Sequence, residues 1–109
     1  MALDINAVAQ SMGAAFLNSL KNDVPSIKTY AEEEGKKFAQ SLAMIEALKI
    51  AGKIDEAEAK LHLEIQKNAT RTVFLTVKGL GVLAVENAIN AALSAVKGMV
   101  NTALGITLL

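Results

Sequence analysis

Apolar residues recur at three- and four-residue intervals along nearly the whole chain, and that period reads as helix. Ile5, Val8, Met12, Phe16 and Leu20 mark the inner face of a first helix over about 5–21, with Asp4 placed to cap its start. The run Asn22-Asp23-Val24-Pro25 ends it and opens the next, Asp23 being a candidate cap and Pro25 a first-turn residue. Ile27, Tyr30, Ala31, Phe38, Leu42, Ile45 and Leu48 then form one stripe of a second helix over about 26–51. Glu32, Glu33 and Glu34, with Lys36 and Lys37 one turn on, read as its solvated side. Gly52 is a natural left-handed stop, and Asp55-x-x-Glu58 is a capping box that starts a third helix.

Past Asp55 the register argues for continuity. Ile54, Leu61, Leu75, Val82, Ile89, Val96 and Ala103 are spaced in sevens, with Asn68 the single polar interruption. The phase runs through Gly79-Leu80-Gly81, where polar turn residues are missing. The pattern therefore predicts one helix over about 55–104, roughly 75 Å long at 1.5 Å per residue. The expected architecture is all-α, a helical hairpin plus one long C-terminal helix in a single domain over 1–109. A four-helix up-down bundle broken at Gly79–Gly81 is the alternative.

The last third divides into three strips when wound on a helix. Gly81, Ala84, Ala88, Ala91, Ala95, Gly98, Thr102 and Gly105 form a strip of small side chains. Val82, Val85, Ile89, Leu93, Val96, Met99 and Val100 form a bulky one beside it. Glu86, Asn87, Asn90, Ser94, Lys97 and Asn101 make up the polar remainder. Small residues at this spacing let a neighbouring backbone approach closely. Two adhesive faces need at least two neighbours, and two short helices cannot cover a helix of that length. Residues 79–109 are thus the expected assembly segment, with the small strip and Val82, Ile89, Leu93, Val96 and Val100 as its packing interface. In a ring of such helices, Glu86, Asn87, Asn90, Ser94 and Asn101 would line a polar lumen.

Charge sharpens this picture. Sixteen of the twenty-two charged side chains fall within 22–67, and only Arg71, Lys78, Glu86 and Lys97 follow. Eleven basic and eleven acidic residues leave no net charge, which favours association over colloidal repulsion. One arginine and no basic cluster argue against a nucleic-acid partner. Aromatic content is 4%, so the apolar bulk is Ala, Leu, Ile and Val, suited to narrow helix spacing. The first residues carry no basic region of a secretory signal, and the expected setting is cytoplasmic synthesis or residence in a particle. The most apolar window, 79–96, contains Glu86, Asn87 and Asn90, so a membrane span is not favoured.

Chemistry is sparse. His62, the single histidine, has Glu58 and Gln66 one turn away on either side but lacks a second histidine four residues on. Gly79-Leu80-Gly81 lacks the third glycine and acidic partner of a dinucleotide loop. The absence of cysteine excludes disulfides and thiolate sites. No catalytic residue, cofactor or metal site is expected. The sequence points to a non-enzymatic structural subunit that assembles with copies of itself or with other helical proteins. A component of a virus or phage particle, or of a similar large helical assembly, is of this physical type. A membrane-active or pore-forming protein and a small helical adaptor are the alternatives.

Overall fold

The computed structural model describes residues 3–109, and these contain four helices and no strand. Asp4 caps α1, Ile5–Leu20, by accepting a hydrogen bond from the backbone N–H of Ala7. Helix α2, Lys28–Ile50, begins without a side-chain cap, so Asp23 does not play that part. Pro25 lies in the turn before the helix, whose entry is fixed by Ile27, buried and bonded through its N–H to the Val24 carbonyl. Gly52 at φ +70° ends this stretch, as a residue without Cβ should. The expected capping box is present at the start of α3, Glu56–Leu75: Asp55 and Glu58 each accept from the other's backbone N–H.

The long continuous helix is not formed. After Leu75 the chain turns through residues 76–81 and reverses into α4, Val82–Leu104. Gly79 takes φ +101°, a conformation that a side chain would oppose, and Leu80 folds inward to a buried position. Burial overrides the heptad phase here. Folding back brings Val85, Ile89, Val96 and Val100 into the core, at about 1.5–3 kcal/mol for each large apolar side chain removed from water. A straight helix would leave them bare. The register inverts with the fold: Leu61, Leu75 and Val82 face solvent, whereas Ile89 and Val96 face inward.

Helices α1 and α2 run antiparallel in close contact. An added Cβ on Gly35 would lie 2.8 Å from the Ala9 carbonyl oxygen and 2.8 Å from the Gly13 nitrogen. Helix α4 packs chiefly on α1, while α3 leans on α2 and more lightly on α4. Across the bundle diagonal α2 touches α4 lightly, and between α1 and α3 the rings of Phe16 and Phe74 meet edge to face with centroids 5.1 Å apart. Four of the five residues expected on the inner face of α1 are buried, Ile5 being the exception. Tyr30 is likewise exposed on the stripe of the second helix, where Leu48 is half-buried and the other residues are buried. The bundle measures 42 × 22 × 18 Å, and its surface of 5913 Å² is close to the roughly 5,800 Å² typical of a compact monomer of this mass. Four helices therefore cover one another without help from a second copy, contrary to the shortage of neighbours expected for a continuous third helix.

Candidate functional site

The strip of small residues on α4 does not stay on one side of the boundary between core and solvent. Ala88 is buried and Ala84 half-buried, but Ala91, Ala95, Gly98, Thr102, Gly105 and the N-terminal Gly81 are exposed. The bulky strip also divides: Ile89, Val96 and Val100 are buried against the bundle, Leu93 is half-buried, and Val82 is 65% exposed. The inner face of α4 is instead centred on Val85, Ala88, Ile89, Ala92, Val96 and Val100. Nothing lies within 4 Å of the Cβ position of Gly98, so the smooth part of the helix has no neighbour within the chain.

Most of what remains outward on α4 is uncharged, the exposed Lys97 lying toward one edge of that face. Leu83, Asn87, Asn90, Ala91, Ser94 and Gly98 share the face opposite the core, and all are exposed. Helix α3 adds a second uncharged outer line through Ala57, Leu61, Ile65, Asn68, Thr72 and Leu75, all exposed. Leu61 and Ile65, one turn apart, are 64% and 65% exposed, and Leu83 reaches 75%. A helix normally turns charge outward. Here the charged side chains of α3 flank the outer line.

The polar residues of α4 are partly committed inside the chain. Arg71 on α3 grips Glu86 through both carboxylate oxygens, Nη2 lying 3.0 Å from Oε1, while its Nη1 donates to the Asn68 side chain. The hydrogen bond from Arg71, with its charge, holds the Glu86 carboxyl below its ordinary value and raises that of the guanidinium. Asn101 is occupied by the chain's own tail: its Oδ1 accepts from the backbone N–H groups of Leu108 and Leu109, each at 3.0 Å. This fold-back buries Leu108 beside Leu104 in the apolar core. Asn87, Asn90 and Ser94 are exposed without side-chain partners among the described residues. Of the five residues assigned to a lumen, Glu86 is thus neutralised by Arg71 and Asn101 anchors the tail.

Two features escaped the sequence reading. Close helix packing occurs on α1 and α2, where Ala9-x-x-x-Gly13 faces Ala31-x-x-x-Gly35-x-x-x-Ala39. That four-residue repeat of small side chains was visible in both segments. Glu34, expected on the solvated side, is only 2% exposed. Lys37 donates to its Oε2 at 3.1 Å, while Oε1 finds no donor among the described residues. Glu34 lines an open cleft between α2 and α3, with a volume near 360 Å³, next to Ser41 and Gln66. Ser41 donates to Gln66, and Gln66 donates to the buried Thr70 at 3.0 Å, forming a short polar seam across that interface.

Among the described residues no group of three or more His, Cys, Asp or Glu is placed to hold a metal ion. No described helix is long and apolar enough to cross a membrane. Comparison with models of known protein families, with curated proteins and with solved structures gives no match in any of the three.

Proposed function

We propose that this protein is a non-enzymatic structural subunit whose finished bundles associate with one another through the outer faces of α3 and α4. The observation that supports this reading most is the lack of charge on two outward helix lines, one of them carrying Leu61 and Ile65 about two-thirds exposed. Leaving large apolar side chains in water forgoes about 1.5–3 kcal/mol apiece, and contiguous patches of this kind mark interaction surfaces. The short side chains of Ala91, Ala95 and Gly98 add a surface against which another helix can come close. Each chain closes its own core, so copies meet as preformed units and neither copy has to unfold to bind. A component of a virus particle or other repeating assembly, held by many small identical contacts, is the setting that fits this best.

The test is the mass in solution, measured by sedimentation without detergent, of the native chain and of the double variant Ala91→Leu/Ala95→Leu. Both alanines are exposed, so the larger side chains leave the bundle intact, as circular dichroism will verify. The native chain is expected to form a multimer of the 11.5 kDa unit. The variant is expected to sediment as single chains or as a much weaker multimer. A native chain that stays monomeric at millimolar concentration, or a variant that assembles just as well, removes the proposal. Partition of the native chain into lipid vesicles instead of self-association would favour a membrane-active protein.

A further inference from the structure

The turn between α3 and α4 is held by its own backbone, with the N–H groups of Thr76, Val77 and Leu80 donating to the carbonyls of Val73, Phe74 and Val77. Asp4 and the Asp55–Glu58 box secure the starts of α1 and α3, whereas α4, like α2, starts with no side-chain cap and no acid in its first turn. Its first N–H groups therefore lack the usual partners. The carbonyl groups of residues 78–80 would supply them if the helix simply continued backward. Leu75 and Val82 flank the turn seven residues apart, in phase with Leu61 and Ile89, and are 40% and 65% exposed. The reversal rests on Gly79 at φ +101°, where a Cβ would also lie 3.3 Å from the Val24 side chain. Helix α4 owes most of its cover to α1 and little to α3. An identical α4 from another copy fits that seat with the same contacts.

We infer that the chain has a second, dimeric state reached by exchange of α4. In it, residues 76–81 become helical, α3 and α4 join into one rod, and each α4 packs on α1 of the other copy. A short hinge allows such exchange, because closed and exchanged forms share nearly all their contacts and differ mainly at the hinge. The exposed Leu75 and Val82 gain cover where the two rods cross. A second copy is the required partner, since only the same α1–α3 frame offers the seat. The inference does not depend on the outer face of α4 and stands whether or not that face associates.

Two substitutions push the equilibrium in opposite directions. Gly79→Ala penalises the turn, where an L side chain opposes positive φ, and improves the straight helix. It is expected to strengthen dimerisation at least about tenfold. Val82→Pro does the reverse. Val82 is the first residue of α4 and is exposed, and Gly81 before it is extended at φ −99° and ψ 171°, as the residue before a proline prefers. The same proline inside a continuous helix removes a hydrogen bond and kinks it. With the outer face silenced by Ala91→Leu/Ala95→Leu in every chain compared, the expected outcome is a dimer for Gly79→Ala and a monomer when Val82→Pro is added to it. Subunits of the dimer should exchange slowly between labelled and unlabelled pools, faster near the unfolding midpoint. A Gly79→Ala chain that is folded and monomeric at millimolar concentration overturns the inference. So does a chain with Val82→Pro added that still dimerises, or a dimer that exchanges within the mixing time. If Gly79→Ala fails to fold, the Ala91→Leu/Ala95→Leu chain with Gly79 kept, warmed to its unfolding midpoint and cooled, must yield a slowly exchanging dimer that Val82→Pro does not form; absence of that dimer is equally decisive. Ala91→Leu/Ala95→Leu leaves this dimer in place, which separates it from association through the outer face.

Discussion

Gly35 is held where no other residue fits without moving a helix. Its missing Cβ leaves room for the Ala9 carbonyl and the Gly13 backbone, and the atoms that a methyl group would meet at 2.8 Å are main chain. Main chain cannot rotate aside as a side chain can. Gly35→Ala is therefore expected to lower stability by about 1–3 kcal/mol, although alanine is the better helix former. Gly98→Ala supplies the opposite case in the same protein. That position is helical and open, so it should gain roughly 0.5–1 kcal/mol from the stiffer backbone. Urea unfolding of the two variants measures both signs, and a Gly35→Ala chain as stable as the native one would remove the close crossing of α1 and α2.

Between elements, the Arg71–Glu86 ion pair joins α3 to α4. Arg71 holds the Glu86 carboxylate in its charged form, so Glu86 contributes stability above its ordinary titration range. That contribution disappears as pH falls through its lowered folded value. The pair is partly open to water, which limits it to roughly 0.2–1 kcal/mol. Glu86→Gln is expected to melt slightly below the native chain at pH 7 and level with it in strong acid; a gap that persists there would assign the loss to packing. The helix starts at Asp4 and Asp55 were legible because a cap is a local event, read from one polar residue and its spacing. The reversal at 76–81 was not. Its cause lies in the distant α1, whose apolar side attracts α4 strongly enough to break a register that is continuous locally. Helical periodicity also misread Glu34, because the pattern gives each residue a direction but not the neighbour found there.

At the scale of the molecule, the apolar surface of α4 is satisfied within the chain more fully than its strips suggested, and the unsatisfied surface moves outward. Ile89, Val96 and Val100 are covered by the chain itself, while Ala91, Ala95 and Gly98 are left for a visitor. The outer line of α3, with Leu61 and Ile65, was hidden in the sequence because Leu61 belonged to a heptad series assumed to face inward. The diagonal contact of Phe16 and Phe74 ties α1 to α3 regardless of which copy provides α4. Its rings, inclined by 66°, place edge protons of one above the π-cloud of the other. Those protons sit in the shielding cone of the facing ring and should resonate upfield of ordinary phenylalanine signals in a proton NMR spectrum. With no tryptophan to crowd that region, the shifted lines offer a magnetic marker of an intact bundle interior. They should keep their position in monomer and exchanged dimer alike and collapse to the ordinary shifts only on unfolding.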